Sequence, residues 1–159
     1  MGNLKLLHVG AANRYYEGFI NSDKLEVWKG KKRKLDLVMD LGKPWPYKDE
    51  IVDGIVGMHV FQQLTWRELI VAFSEARRVL KKGGVLRMGV PMVEIDKPLE
   101  YLLGWKNINL FSFGLLDNVL KRIGFIHFKE RGYKRSRLPI LATVDNRPNR
   151  GTLYYEAVK

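Results

Sequence analysis

The sequence predicts an α/β fold built on a mostly parallel sheet, and three observations carry that expectation. Short apolar runs such as Leu4–Val9 and Val85–Val90 have the length and composition of strands buried on both faces. A strongly amphipathic helix stands between two of these runs, as in a crossover joining parallel strands. The runs stop at Gly10, Asp23, Asp40 and Pro91, residue types that end strands and start loops.

Taken in order, Leu4–Val9 reads as a first strand closed by Gly10, and Gly18–Asp23 as a second. The basic run Lys29–Lys34 follows. A third strand, Leu35–Leu41, is closed by the turn Gly42-Lys43-Pro44-Trp45-Pro46, where the prolines exclude a helix. Val52–Val60 is the fourth strand. The helix Trp66–Leu80 starts on a capping box, Thr65 with Glu68, and buries one face through Trp66, Leu69, Ile70, Phe73, Ala76 and Leu80. Gly83 and Gly84 are expected to end it in a left-handed cap. Val85–Val90 is a fifth strand. A second helix, Gly114–Ile123, leads through Gly124 into a sixth strand, Phe125–Glu130, and Thr152–Val158 is the last. The resulting sheet is expected to be covered on both faces.

Composition sets limits on this picture. The 159 residues suit a single domain spanning 1–159. With no cysteine, a disulfide framework, a thiol nucleophile and a thiolate zinc site are excluded. The three histidines, His8, His59 and His127, show no metal-ligand spacing, so no metal is expected. His8, inside an apolar strand, reads as a core histidine. No segment has the apolar length of a membrane span, and the N-terminus lacks a signal-peptide core, so the expected location is cytoplasmic. The net charge is +11 and is uneven, since residues 1–80 carry 13 basic and 10 acidic side chains and residues 81–159 carry 15 and 7. Such an excess attracts polyanions.

In a parallel sheet, ligands bind beyond the carboxyl ends of the strands. That rule gathers Gly10–Arg14, Asp23, Asp40, His59–Gln63 and Pro91–Glu94 into one rim. The small residues Gly10, Ala11, Ala12 and Asn13 let backbone N–H groups approach a ligand. Asp23 stands where a carboxylate accepts both hydroxyls of a ribose, and Asp40 where one accepts an exocyclic adenine amine. The three together describe an adenosine-shaped site. Neither a phosphate-loop motif nor a full G-x-G-x-x-G signature is present.

The order of these segments resembles the small class I S-adenosylmethionine-dependent methyltransferases, the compact group often labelled type 11. The residues that carry the resemblance are Leu7-His8-Val9-Gly10-Ala11-Ala12, Gly18-Phe19-Ile20-Asn21-Ser22-Asp23, Asp40-Leu41, Pro44-Trp45-Pro46-Tyr47 and Val52-Asp53-Gly54-Ile55. They continue with His59-Val60-Phe61-Gln62-Gln63-Leu64, Arg78-Val79-Leu80-Lys81-Lys82-Gly83-Gly84, Val90-Pro91 and the closing strand Thr152–Lys159. The resemblance implies a Rossmann-like sandwich whose seven-stranded sheet has six parallel strands and a reversed last one. It implies S-adenosylmethionine as cofactor, with Gly10, Ala11, Ala12 and Asn13 among the cofactor-binding residues, Gly10 and Ala12 along its methionine part, Asp23 on the ribose, Asp40 and Leu41 at the adenine, and His59 near the methyl group. His59, with an ordinary pKa of about 6.5, is the candidate general base. Three departures from the family pattern stand out: Ala12 replaces a second glycine, the neutral pair Gln62-Gln63 replaces Glu-His, and Met92 replaces an acid.

The resemblance also implies a helical lid before the first strand, and the sequence begins only three residues ahead of that strand. The expectation is an open pocket, suited to a large acceptor or to a lid supplied by a second copy in a homo-oligomer. A polyanionic acceptor such as nucleic acid is expected to be guided by Lys29–Lys34 and by segment 121–150, which has nine basic and two acidic residues. There Tyr133 lies among Lys129, Arg131, Lys134, Arg135 and Arg137, a mixture suited to phosphate contact and base stacking. The competing expectation is a catalytically degenerate protein on the same scaffold with a binding or assembly role. A pure nucleic-acid-binding module leaves the acidic strand ends unexplained.

Overall fold

The structure, a computed structural model, describes residues 4–28, 30–91, 108–109, 111–145 and 151–159. Its strands are β1 (Leu6–Val9), β2 (Ile20–Asp23), β3 (Val27–Trp28), β4 (Lys31–Lys32), β5 (Leu37–Val38), β6 (Val52–Met58), β7 (Leu80–Pro91), β8 (Ile126–Arg131) and β9 (Thr152–Val158). Its helices are α1 (Trp66–Val79) and α2 (Phe113–Ile123). Seven strands form one sheet in the order β5-β2-β1-β6-β7-β9-β8, with β9 antiparallel to both neighbours and the other pairings parallel. This is the Rossmann-like α/β sheet that the sequence predicts. The apolar runs form it because β1, β6 and β9 are buried along nearly their whole length and β7 from Gly84 to Val90.

Alternation sorts the side chains onto two faces. Leu7, Val9, Ile55, Leu86, Met88, Tyr155 and Ala157 point to the face covered by both helices, where they meet Leu69, Phe73, Leu116 and Leu120. Leu6, Val56, Val85, Tyr154 and Val158 point to the other face. Among the described residues that second face is covered not by a helix but by a 3-10 turn, Pro139–Val144, together with Tyr16, Phe19, Tyr133 and Leu138.

Several expected boundaries shift. The second and third strands shorten to four and two residues, and a two-stranded hairpin, β3 with β4, fills part of the basic run. Helix α1 keeps its capping box, Thr65 with Glu68, but ends at Val79, because Leu80 is already extended. Gly83 and Gly84 therefore do not cap it. They sit in an irregularity of β7, between the pairs Val52–Leu80 and Gly54–Val85. Gly83 adopts φ +76°, and its N–H donates to the carbonyl of Lys159. The left-handed cap falls instead at the end of α2, where Gly124 has φ 100°.

The long turn after β5 is fastened to α1. Arg78 donates to the carbonyls of Trp45 and Tyr47 and to Glu75 and Asp49, and Trp45 N donates to Glu75 at 2.6 Å. Trp45 is 3% exposed. This clamp fixes the path that carries Asp40 and Leu41 to the edge of the sheet.

Candidate cofactor cavity

Beyond the carboxyl ends of β1, β2, β5 and β6 lies a cavity of about 730 Å³, within the range of small-molecule sites. Gly10, Ala11, Ala12, Asn13, Asp23, Asp40, Leu41 and His59 all line it. Residues scattered over fifty positions of sequence thus converge, because parallel strands end on one rim.

The β1 turn sets the floor. Gly10 has φ +69°, and a Cβ there would stand 2.5 Å from a methyl of Val60, so only glycine fits. Ala11 N donates to the carbonyl of Ser22 at 3.0 Å, and Ala12 N to Asp23 Oδ2 at 2.8 Å. Ala12, where the family pattern has glycine, also takes a left-handed backbone at φ 51°. Its methyl group makes that conformation cost of order 1 kcal/mol more than glycine would, and the turn still closes.

The two carboxylates differ in setting. Asp40 accepts from Gly42 N at 3.0 Å and from Lys24 Nζ at 3.0 Å. Burial pushes its pKa up, but the Lys24 ammonium and the Gly42 N–H outweigh that and hold it below the usual carboxylate value. Asp23 is held by Ala12 N and by both terminal nitrogens of Arg33. His59 follows β6 with φ +56°, a strained conformation for a residue with a Cβ. Its N–H donates to the carbonyl of Gly89 at 2.7 Å, and its Nε2 shares a hydrogen bond with Thr152 Oγ1 at 3.1 Å. Gln62 is buried at 2% exposure and donates through Nε2 to the His59 carbonyl at 2.8 Å. The amide pair therefore leaves Gln62 as a brace for the His59 loop, while Gln63 is exposed.

The cavity also takes in Arg14, the end of the rim segment Gly10–Arg14, and Lys24 and Arg33, which the sequence did not place on that rim. Arg33 belongs to a run of like charges, in which it is the one arginine and the member that turns inward. Lys34 instead leans on Tyr15, 3.7 Å from the ring centre, and pairs with Glu17. Met92, Glu94 and Lys29 lie outside the described residues, as does 146–150 of the basic C-terminal segment.

Tyr133, the expected stacking surface, is half-buried. Its ring packs against Tyr154, 6.1 Å between centres, at the margin of the second core. Arg131 pairs with Glu156, and Lys134 Nζ donates to the Thr143 carbonyl. His8 is the core histidine expected, 2% exposed and bonded to Asn21. His127, on β8, does not line the cavity. Among the described residues no group of His, Cys, Asp and Glu is arranged to hold a metal, and no helix is long and apolar enough to cross a membrane.

Residues 4–88 match the family described as the methyltransferase domain, in its type 11 group. The chain belongs to that family. The cofactor of this class I methyltransferase domain is S-adenosylmethionine. Solved structures of the same fold include a SAM-dependent methyltransferase from Archaeoglobus fulgidus, with 13% identity, TM-score 0.71, and 99% of this chain and 87% of that one covered. Another, from Thermotoga maritima, has 19% identity, TM-score 0.68 and coverage of 100% and 84%. A third, from Haloferax volcanii, was solved in complex with the Trm112 methyltransferase activator, with 17% identity, TM-score 0.65 and coverage of 98% and 82%. Comparison with curated protein sequences gives no significant match.

The cavity fits the cofactor of this family. A turn of small residues at Gly10–Asn13, two carboxylates and a volume of about 730 Å³ suit an adenosine joined to an amino acid.

Proposed function

We propose that this chain is an active S-adenosylmethionine-dependent methyltransferase that binds its cofactor in this cavity and methylates an anionic acceptor such as nucleic acid. The observation that carries the reading is the convergence of the strand-end residues Gly10–Asn13, Asp23, Asp40, Leu41 and His59 on one cavity of a methyltransferase-family fold. Gly10, Ala11, Ala12 and Asn13 would hold the methionine part, Asp23 the ribose, and Asp40 with Leu41 the adenine.

When bound, the cofactor supplies a methyl group on a sulfonium, open to in-line displacement by a nucleophile. The chain's task is then chiefly alignment, worth at most about 7–11 kcal/mol of barrier. His59 stands at the carboxyl end of β6 with its ring oriented by Thr152, and it would take the proton that the nucleophile loses. The anionic acceptor is supported by the exposed Arg14 at the cavity and Lys31 on the adjoining hairpin, whereas Lys24, Arg33 and Lys32 are paired with Asp40, Asp23 and Glu26. The C-terminal basic segment supports it less, since Tyr133 packs inward and Arg131 is paired.

Calorimetric titration with S-adenosylmethionine and S-adenosylhomocysteine tests the reading. Binding of both is expected, and His59→Asn should keep binding while lowering transfer of labelled methyl to RNA or DNA by about 10²–10⁴-fold. Failure of either compound to bind at millimolar concentration would overturn the cofactor site. Binding of both without transfer to any nucleic acid would leave the binding or assembly role as the better reading.

A further inference from the structure

Asp23, the residue assigned above to the ribose, has its acceptor capacity filled from within the chain. Its Oδ2 accepts from Ala12 N at 2.8 Å and from Arg33 Nη1 at 3.1 Å. Its Oδ1 accepts from Arg33 Nη2 at 3.2 Å and from Leu25 N at 3.3 Å. An ionised carboxylate offers about four lone-pair sites, and all of them are used. Asp40 contrasts with it, accepting, among the described residues, from Gly42 N and from a Lys24 side chain that is 62% exposed.

Arg33 is built into this position. Its side chain is only 7% exposed, Nη1 donates also to the Ala12 carbonyl at 2.7 Å, and Nη2 donates to the Leu25 carbonyl. A planar guanidinium can address two carboxylate oxygens and two carbonyls at once, which an ammonium cannot. Arg33 and Asp23 both line the cavity. A ribose diol brings two hydroxyl donors to the carboxylate that already receives both prongs of Arg33.

We propose that Arg33 is an internal competitor for the ribose, so that the nucleoside binds as Arg33 withdraws from Asp23 and this one residue sets the affinity of the cavity. The proposal rests on the cavity being the cofactor site. The withdrawal has a route in the fold. Arg33 directly follows the β3–β4 hairpin, which pairs only with itself and not with the seven-stranded sheet. The hairpin is closed by Arg33 N donating to the Glu26 carbonyl at 2.9 Å. Apparent affinity falls by the fraction of molecules that are open, so a latch closed in nine molecules of ten weakens binding about tenfold.

The experiment is titration of S-adenosylhomocysteine into wild-type protein, Arg33→Met and Arg33→Lys, with urea unfolding of each variant and hydrogen exchange of the wild type. Arg33→Met is expected to bind about tenfold more tightly, with Arg33→Lys in between. In the wild type the Arg33 amide should exchange faster once the ligand is bound, opposite to the usual protection. Equal or weaker binding by a folded Arg33→Met overturns the proposal and makes Arg33 a support for Asp23. If Arg33→Met does not fold, the wild-type exchange decides, and unchanged or increased protection at Arg33 overturns it. Absence of binding by all three proteins instead overturns the cofactor site itself. Binding by Arg33→Met alone supports the competitor.

Discussion

The two faces of the sheet are held by different physics. The face under α1 and α2 is dry and apolar, with Leu7, Ile55, Leu69, Phe73, Leu86 and Leu120 all fully buried. The opposite face buries Arg87, Asp145, Glu156, His8 and Asn21 among Leu6, Val56 and Tyr154. The reason lies in what covers each. A helix satisfies its own backbone and presents an apolar stripe. Turns and irregular chain bring unpaired N–H and C=O groups to the surface they cover, and these need partners once buried. Arg87 donates to the carbonyls of Gly132 and Arg135, while Lys134 N donates to Asp145 and Arg137 N to Glu156. The ions on the second face are therefore the fasteners of its loop cover.

Removing the central fastener should give the largest effect. Arg87 pairs with Asp145 through two contacts, at 3.0 and 2.6 Å, and with Glu156 at 2.9 Å, with Arg87 and Asp145 at 0% exposure. Arg87→Met leaves Asp145 buried without a cation, and a loss of about 3–5 kcal/mol is expected in urea unfolding. Adding Asp145→Asn removes the stranded charge and should recover part of that loss. An Arg87→Met variant as stable as wild type would mean that the second face is held by its apolar contacts alone.

The dry face should respond by size alone. Ile55 is 0% exposed on β6 beneath the helices, and Ile55→Val removes one methylene. The expected loss is about 0.5–1.5 kcal/mol, the same at pH 5.5 as at pH 7.5, because no ionised group touches the change. A cost that depends strongly on pH would show that the two faces are coupled.

The same contrast governs what the sequence made legible. The capping box of α1 and the span Thr152–Val158 are readable because each rests on neighbours in sequence or on uniform apolar composition. The rim of Gly10, Asp23, Asp40 and His59 was readable because strand ends in a parallel sheet share one side. The loop-covered face was not, since its contacts join Arg87 to residues 58 and 69 positions away. One signal was present, a lone arginine between Leu86 and Met88 in an otherwise apolar strand, and such a residue demands buried partners. Arg33 carried a weaker signal, being the one arginine among Lys31, Lys32 and Lys34, and its place in a basic run hid it. The helix end lies one residue from the expected Leu80, but its cap was misassigned because Gly83 and Gly84 suit one. Pairing of Leu80 with Val52 instead brings the chain into the sheet five residues before the expected strand start at Val85.

The smallest expected effect comes from His8, which puts a titratable group on the second face only. Burial lowers its pKa below 6.5, and the hydrogen bond from its Nδ1 to Asn21 Oδ1 and the charge of Asp23 only partly offset that. Asn21 is committed elsewhere, its Nδ2 donating to the carbonyls of Tyr16 and Phe19, so it cannot reorganise around an imidazolium. Between pH 6.5 and the lower folded value, the unfolded chain binds a proton that the folded chain refuses. Stability is therefore complete above pH 6.5 and declines as the pH falls through that window. Paired carboxylates such as Asp40 and Asp53, held below their usual values, titrate at lower pH and stay silent there. The urea midpoint should thus be lower at pH 5.5 than at pH 7.5 in wild type, and the difference should shrink in His8→Gln, which keeps a donor for Asn21 but does not titrate. An undiminished difference in His8→Gln would transfer the acid sensitivity from β1 to another group of the loop-covered face.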